Sequence, residues 1–385
     1  MKEIKGEAKL TFMEATSIIV GHGVGSGILS VPFLASRNSW RDILWIIAVC
    51  YVVNLFMHLM IAELSYNNNG AQFIKCIEAE LFTGKVKQIV TWVAFGFLGL
   101  SVVANVVGFI TGGGAVFTAW FGLPHMVSVL IYYLLTASVV LFGMKLVGIC
   151  EKISVFAMIG VMGILFVATL INEHTGFTNK FVASSNMVAL YSMVAFSLSA
   201  VMSVPQVVKG LEGNTKRIKA SIATGTGINT GLILLITFMT LFACGDKVTG
   251  DGALVDLSSK LGGWVGIVGF IFSLLALSTS FWANTLNLRD IVHEQTKLDL
   301  KLSYIIISLP CFLIALFKLS DFVGFTRIAG IIQVLTGIGI IVAYNRSRKK
   351  NPDSVICGIF GKLPFQILVC VGSVLATLGA LAKVV

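Results

Sequence analysis

Long apolar runs separated by short polar connections are the dominant pattern of this chain. Many of the runs reach the 18 or so residues that an α-helix needs to cross about 30 Å of hydrocarbon. The pattern predicts eleven membrane-spanning helices, with ends placed to within a few residues. They cover about 11–35, 42–66, 87–113, 124–144, 150–172, 186–210, 219–244, 263–289, 301–318, 321–345 and 363–384. The longer polar stretches are 67–86 and 245–262, and the second is a candidate for a short helix.

Composition agrees with this pattern. Of the 385 residues, 56% are hydrophobic and 12% are charged, whereas a soluble globular domain carries about 25% charged residues. So few charges cannot cover the surface of a soluble fold of this size. The ten-residue alternation of a transmembrane barrel is missing from the sequence. We therefore predict an all-α polytopic membrane protein in which residues 1–385 form a single transmembrane domain.

Lys and Arg residues are spread unevenly between the two sides of the predicted spans. If the N-terminus is cytoplasmic, 20 of the 28 fall on the cytoplasmic side and 8 on the other. The positive-inside rule therefore predicts a cytoplasmic N-terminus and, because the number of spans is odd, an extracytoplasmic C-terminus. These loops explain the net charge of +10, so we expect no nucleic acid partner. The expected state is a monomer in the lipid bilayer of the cell (plasma or inner) membrane.

Signatures of enzymes and of metal centres are missing from the sequence. The seven cysteines show neither close pairing nor clustering with histidine, so no disulfide framework or zinc site is indicated. There is no Gly-x-Ser-x-Gly motif, no His-rich metal box and no pair of intramembrane carboxylates. We predict that the chain is not an enzyme and uses no cofactor apart from a coupling ion.

Two distant segments have nearly the same sequence. Residues 26–32 read SGILSVP and residues 199–205 read SAVMSVP, each inside an apolar run and beside small residues. In the predicted orientation, Pro32 lies toward the outer end of the first span and Pro205 toward the inner end of the sixth. Paired interruptions in corresponding halves mark the central site of a secondary transporter. The predicted inverted repeats are about 11–172 and 186–345, and 363–384 is an extra helix.

The first interruption is rich in glycine. Alternate positions are occupied by Gly21, Gly23, Gly25 and Gly27, and each glycine costs about 1 kcal/mol relative to alanine inside a helix. Unwinding here would free backbone N–H and C=O groups, which are costly in hydrocarbon unless a partner satisfies them. An amino acid zwitterion is such a partner. Close helix packing through small residues is the alternative interpretation of the same glycines.

The zwitterion hypothesis gives each freed group a role. N–H groups around Gly25, Ser26 and Gly27, at the positive end of the outer half-helix, would donate to the carboxylate. Carbonyls around Gly21–Gly23 and Phe196–Ser197 would accept from the ammonium. The candidate substrate-binding residues are Gly21, His22, Gly23, Gly25, Ser26, Gly27, Asn105, Phe196, Ser197 and Ser199.

Two polar side chains near the interruptions have two interpretations each. His22 lies within the first interruption, where it is either a proton carrier that titrates near neutral pH or a neutral hydrogen-bonding residue. Asn105 lies in the third span among small residues, where it hydrogen-bonds either the substrate or a neighbouring helix. The sequence leaves both choices open.

At these residues the chain resembles the amino acid–polyamine–organocation superfamily, whose LeuT-like fold has five-plus-five inverted repeats and discontinuous first and sixth helices. The run GHGVGSGILSVP at 21–32 is typical of the first helix of that superfamily. Within it, the chain most resembles the amino acid/auxin and the hydroxy/aromatic amino acid permeases. The stretch 196–213 and the run ALSTSFWANTLNLRD at 276–290 carry this closer similarity. Two glycines of the bacterial permease pattern are replaced in the second of these runs.

The resemblance implies a sodium site between the first and eighth spans. In sodium-coupled members, carbonyls of the first break and of an alanine hold the ion together with Thr and Ser hydroxyls, and oxygen ligands suit a hard cation. The matching residues here are Gly21, Val24, Ala276, Thr279 and Ser280. Hydrogen bonding of the two hydroxyls to their own helix is the alternative. Proton-coupled relatives often carry a lysine within span five, and here Lys152 lies near the inner mouth of that span.

The resemblance also implies a lid and a gate. Phe196 is expected to cap the bound substrate. The inner-gate candidates, basic residues pairing with acidic ones, are Lys5, Lys9, Asp290 and Glu294. The expected function is uptake of a neutral amino acid by alternating access in a cation-coupled symporter, with Na⁺ favoured over H⁺. The alternatives are a proton-coupled permease and an uncoupled facilitator or channel, and uphill uptake in an ion gradient separates coupled from uncoupled transport.

Overall fold

The computed structural model describes residues 4, 6–25, 27–81, 84–172, 183–250, 252–318, 338–353 and 355–384. The helices of the first half are α1 (Phe12–Gly23), α2 (Gly27–Ser36), α3 (Trp40–Asn67), α4 (Phe73–Leu81), α5 (Gly84–Phe121), α6 (His125–Leu141) and α7 (Met144–Ile171). Those of the second half are α8 (Ser184–Leu198), α9 (Val204–Gly210), α10 (Thr215–Cys244), α11 (Ala253–Leu261), α12 (Trp264–Thr296), α13 (Leu300–Leu316), α14 (338–350) and α15 (Leu363–Ala380). The predicted all-α fold is confirmed.

Apolar helices account for the predicted spans within the described residues. Seven helical stretches, with α8 and α9 counted together, are long and apolar enough to cross a membrane. The pair α1 and α2 adds an eighth span, bent by 54° at its break, and α6 and α13 are shorter apolar helices. The predicted span 321–345 lies largely outside the described residues. The polar stretches 67–86 and 245–262 contain the short helices α4 and α11.

Large apolar side chains cover much of the outer surface. On α5, α7, α13 and α15 they include Ile89, Phe156, Leu313 and Val371, all of which are exposed. A soluble monomer rarely exposes continuous apolar patches of this kind. Within a bilayer the same surface faces lipid, while the helices satisfy their own backbone hydrogen bonds.

A capping box begins α1. The Glu14 N–H donates to the Thr11 hydroxyl over 3.3 Å, and the Thr11 N–H donates to the Glu14 carboxylate over 2.8 Å. These reciprocal bonds satisfy two of the N–H groups that a helix leaves unpaired at its start. Lys145 of α7 also donates to Glu14 over 2.6 Å, so the start of α1 is held against the start of α7.

The two broken helices run antiparallel. The Leu10 N–H, just before α1, donates to the Gly210 carbonyl at the end of α9 over 2.8 Å. At the opposite end of the molecule, the Asn38 amide after α2 donates to the Asn186 carbonyl at the start of α8 over 3.3 Å. Each broken helix therefore begins where the other ends, and their two breaks lie at the same depth.

A buried carboxylate fastens the end of α3 to the chain near α15. Glu63 is 1% exposed. It accepts a hydrogen bond from the Tyr344 hydroxyl over 2.9 Å and two from the N–H groups of Ile356 and Cys357, also over 2.9 Å. Both of its oxygens are therefore satisfied by the protein, as buried carboxylates require.

Candidate functional site

The first break separates α1 from α2 by three residues. Val24 follows α1 with φ −76° and ψ 66°, which is not a helical conformation. The Gly25 N–H donates to the Gly23 carbonyl over 2.8 Å, a local turn that replaces the regular helical bond. The predicted site residue Ser26 lies outside the described residues. The alternating glycines thus lie at the end of α1, in the break and at the start of α2, as their sequence spacing predicts.

The second break lies between α8 and α9. The helix ends at Leu198, Ser199 has an extended conformation, and a 3₁₀ turn over Val201–Ser203 leads into α9. The predicted discontinuity of both helices is therefore present. α8 presents its carbonyl end and α9 its amide end at this break, so the helix dipoles direct both polarities toward the same region.

The two breaks are in direct contact. A Cβ atom added to Gly23 would lie 3.1 Å from the Ser197 carbonyl oxygen, and one added to Gly27 would lie 2.7 Å from the Ser197 hydroxyl. The Nδ1 atom of His22 lies 2.8 Å from the hydroxyl of Ser203, which joins the first break to the turn after the second. The glycines therefore serve close packing as well as unwinding, and zwitterion binding at the break stays a prediction.

A histidine from α3 caps the second break. The Nε2 atom of His58 accepts a hydrogen bond from the Ala200 N–H over 3.0 Å. Because Nε2 must offer a lone pair, the proton of this neutral imidazole is on Nδ1, which lies 3.3 Å from the Thr226 hydroxyl of α10. His58 is fully buried. It satisfies an N–H group that unwinding leaves without a helical partner.

A pocket lies where the breaks meet, and its empty space, which includes the open mouth, is about 620 Å³. Its lining residues are His22, Gly23, Gly25, Gly27, Ser101, Val102, Asn105, Phe109, Phe196, Ser199, Met202, Ser280 and Asn284. Both broken helices, α5 and α12 therefore contribute to the pocket.

Seven of the predicted substrate-binding residues line this pocket. They are His22, Gly23, Gly25, Gly27, Asn105, Phe196 and Ser199. Gly21 and Ser197 lie behind the lining, because Gly21 contacts α7 and α12 and the Ser197 hydroxyl donates to the Met193 carbonyl of its own helix. Phe196, the predicted lid, is 41% exposed. The side-chain roles of these residues toward a substrate stay predictions.

Several lining residues were not predicted from the sequence. Ser101 and Phe109 flank Asn105 at steps of four along α5, and Asn284 follows Ser280 by four along α12. Residues four apart share one helix face. The same spacing, applied to the predicted site residue Asn105, would have indicated the α5 positions.

The predicted cation ligands lie where α1 meets α12. A Cβ atom on Gly21 would lie 3.0 Å from Thr279, and one on Gly25 would lie 3.2 Å from the Ser280 hydroxyl. The Thr279 hydroxyl donates to the Ala276 carbonyl of its own helix over 3.1 Å, as the alternative interpretation expects. The Ser280 hydroxyl has no hydrogen-bond partner among the described residues. Val24 and Ala276 are both buried.

Glu151 is a buried acid that the sequence interpretation missed. It lies on α7 and is 0% exposed. A Cβ atom placed on Gly21 would overlap its carboxylate, so the acid touches the end of α1. The signal was available, because an ionisable residue inside an apolar span is a functional candidate by default. The neighbouring Lys152 is only partly buried.

The predicted inner-gate pairing of Lys9 with Asp290 or Glu294 is wrong. Lys9 pairs with Glu212 at 2.5 Å, while Glu294 pairs with Lys209 at 2.7 Å. Asp290 pairs with Arg289 at 2.8 Å, and Arg289 also pairs with Glu7. The reason is that the end of α9 lies beside the start of α1. Glu212, just after α9, therefore pairs with Lys9, and Lys209 of α9 pairs with Glu294 of α12. Lys5 lies outside the described residues.

Solved structures that share this fold include those of two transporters. The crystal structure of MhsT in complex with L-phenylalanine is 15% identical, covers 97% of this chain and 100% of its own, and gives a TM-score of 0.67. The structure of Mhp1, a nucleobase-cation-symport-1 family transporter, in a closed conformation with bromovinylhydantoin bound, is 12% identical, covers 98% and 94%, and gives a TM-score of 0.62.

Sequence comparison names the family. The tyrosine-specific transport system 1 of Haemophilus influenzae is 24% identical over 305 residues, which cover 74% of this chain and 73% of that relative. The model of the tryptophan/tyrosine permease family matches residues 8–379, nearly the whole chain. The chain therefore belongs to the tryptophan/tyrosine permease family, and it is an amino acid transporter rather than an enzyme.

Proposed function

We propose that the chain is a secondary active transporter that takes up an aromatic amino acid together with a cation, by alternating access. The observation that carries the proposal is the meeting of two broken, antiparallel helices at one pocket. The relative from Haemophilus influenzae is described as tyrosine-specific, and one structural neighbour holds L-phenylalanine. Both support an aromatic substrate for this chain.

The helix ends at the pocket suit the charges of a zwitterion. α2 begins at Gly27 and offers the positive end of its dipole, which favours the substrate carboxylate. α1 ends at Gly23 and α8 ends at Leu198, and their carbonyl ends favour the ammonium. The substrate thereby takes over the hydrogen bonds that the two breaks give up.

The remaining wall suits an amphipathic ring. Val102, Phe109 and Met202 supply apolar surface, and Phe196 adds an aromatic face. The Asn105 amide lies on the same face of α5 as Val102 and Phe109. Tyrosine and tryptophan combine a large ring with one polar group, and a buried polar group needs a partner. We assign that partnership to Asn105.

Sodium is the first candidate for the coupling ion. Gly21 of α1 lies against the Thr279 side chain of α12, and Gly25 in the break lies against the Ser280 hydroxyl, so two hydroxyl-bearing residues of α12 adjoin the first break. Oxygen ligands suit a hard cation. A proton gradient is the alternative driving force, and a single transport experiment can compare the two.

The test uses the purified full chain in proteoliposomes with radiolabelled L-tyrosine, L-tryptophan and L-phenylalanine. We expect substrate to be concentrated inside the vesicles when a cation gradient points inward, with sodium and proton gradients imposed separately. Uptake that only equalises the two sides under both gradients would show a facilitator and reject symport. If no aromatic amino acid exchanges across the membrane, the aromatic substrate is also rejected.

The variant Asn105→Ala tests the substrate assignment. Losing one hydrogen bond costs about 0.5–1.5 kcal/mol, so the apparent affinity for tyrosine should fall by a few-fold to tenfold. The affinity for phenylalanine, which has no ring hydroxyl, should change less. Equal losses for both substrates would contradict the role given to Asn105. Ser138→Ala is a matched control, because Ser138 is a polar residue of α6 whose hydroxyl donates to the Leu135 carbonyl of its own helix.

A further inference from the structure

Glu151 is a fully buried acid on α7. Neither of its carboxylate oxygens has a hydrogen-bond partner among the described residues. The ion pairs formed by the described residues also leave it out. A buried carboxylate is stable only when hydrogen bonds or an opposite charge compensate for the lost water. The described part of the protein supplies neither to Glu151.

Glu63 shows what a purely structural acid looks like in the same molecule. It is equally buried, and three hydrogen bonds from Tyr344, Ile356 and Cys357 satisfy its two oxygens. The contrast is one of environment, since both acids lie on apolar helices. Glu63 therefore has a structural role, whereas the carboxylate of Glu151 is available to bind a positive charge that comes from outside the protein.

Glu151 lies next to the first break, where α7 and α12 both contact the end of α1. The carboxylate contacts Gly21, two residues before the pocket-lining Gly23. The Cβ atom of Thr279 lies 3.0 Å from the position a Cβ atom on Gly21 would take, so α12 meets Gly21 beside the acid. Four residues later, in the break, Gly25 lies against the Ser280 hydroxyl, which has no hydrogen-bond partner among the described residues. The acid of α7 and Thr279 of α12 therefore contact the same residue of α1, and Ser280 contacts the break that follows.

We propose that Glu151 binds the coupling cation, with the hydroxyls of Thr279 and Ser280 as further oxygen ligands. The inference rests on the proposed function, because it names the residue through which the cation acts. A cation held here connects α7, α1 and α12 beside the substrate pocket. Its arrival compensates the buried negative charge and holds the end of α1 in place, so the break is ordered for substrate only when the cation is bound.

The experiment compares wild type, Glu151→Gln and Lys152→Gln in proteoliposomes with radiolabelled L-tyrosine. One arm imposes an inward sodium gradient at equal pH, and the other imposes an inward proton gradient without sodium. We expect wild type to concentrate tyrosine at least about tenfold in one arm, and that arm identifies the cation. Glu151→Gln should only equalise tyrosine in that arm while still exchanging it in counterflow. Lys152→Gln, altered at the adjacent position, should behave as wild type.

The possible results test the proposed function and the role of Glu151 separately. If wild type exchanges no amino acid or never concentrates it, the proposed function fails. If wild type concentrates tyrosine and Glu151→Gln does so equally well, the proposed function stands and the role of Glu151 is rejected. Loss of concentrating power in Glu63→Gln but not in Glu151→Gln would likewise reject it.

A second variant keeps the test decisive if Glu151→Gln folds poorly. Glu151→Asp retains the charge but withdraws it by one methylene. We expect it to keep concentrating tyrosine while the half-saturating cation concentration rises by about tenfold. An unchanged cation requirement would overturn the proposal. Thermal unfolding of both variants in detergent, with and without the cation, provides the folding control, and only wild type and Glu151→Asp should be stabilised by the cation.

Discussion

The two broken helices reach the same pocket by different means. The first bends by 54° between α1 and α2, and it does so through glycines. The second runs from Ser184 to Gly210 as one 27-residue span, interrupted by the non-helical residues Ser199 and Ala200 and a short 3₁₀ turn. A side chain from a third helix, His58, satisfies the Ala200 N–H in that interruption.

This difference indicates which kind of substitution should disrupt each break. The first depends on the absence of side chains, because α7, α10 and α12 approach its glycines closely. The second depends on the presence of one imidazole in one tautomer. Adding atoms should therefore harm the first break, and removing atoms should harm the second.

The largest effect is expected from Gly23→Val. A Cβ atom at this position would overlap the Asn229 side chain and approach the Ser197 carbonyl oxygen to 3.1 Å, so the two breaks must move apart. Overpacking of this kind costs about 1–3 kcal/mol. Tyrosine uptake should fall by more than about tenfold, and thermal stabilisation by tyrosine should disappear.

The matched control for Gly23→Val is Gly160→Val on α7. A Cβ atom at Gly160 meets no atom of the described residues within 4 Å. The control makes the same change of side chain on a helix without a clash, so its uptake should stay close to that of wild type. Equal losses in both variants would mean that backbone propensity, not contact between the breaks, explains the first result.

The second break should respond to His58→Ala. The substitution leaves the Ala200 N–H buried without its acceptor, which costs about 1–3 kcal/mol. Thermal unfolding in detergent should occur at a lower temperature, and uptake should fall with it. His58→Gln should restore part of both, because a glutamine carbonyl oxygen can replace Nε2 as the acceptor.

A distant histidine provides the comparison for His58→Ala. His125 lies at the start of α6, is partly buried, and has its Nε2 atom 3.2 Å from the Ala315 carbonyl oxygen. His125→Ala should lower the unfolding temperature less, because water can replace a bond at a partly exposed site. If both alanine variants lower the unfolding temperature equally, the His58 hydrogen bond at the second break contributes no more to stability than that of His125.

Local sequence predicted the first break better than the second. The glycines at alternate positions act within a few residues of one another, so their effect can be read along the chain. The cap on the second break joins Ala200 to His58, which is 142 positions away. Only the packing of α3 against the broken helix creates that bond, and no spacing rule along the sequence contains it.

The burial and pairing of charged side chains were also hard to predict from the sequence. Glu151 and Lys152 are neighbours in sequence, but successive residues of an α-helix point about 100° apart. The acid is therefore turned into the protein, while the lysine is only partly buried. The inner-gate pairs depend in turn on where α9 ends.

The fold class and the amino acid substrate class were predictable, whereas the wider superfamily and the coupling ion stay predictions.

The smallest expected effect concerns the link between the breaks. His22 and Ser203 lie 2.8 Å apart, so each break is held in part by the other. We expect His22→Ala and Ser203→Ala each to weaken tyrosine affinity several-fold, and the double variant to be little worse than either, with a coupling energy of about 1 kcal/mol. The pair Thr118 and Ser128, 2.9 Å apart between α5 and α6, is the control. Its double-mutant cycle should show coupling in stability but none in affinity. Additive losses for His22 and Ser203 would mean that the two breaks bind substrate independently. A hydrogen bond with no coupling energy in affinity does not link substrate binding at one break to the conformation of the other.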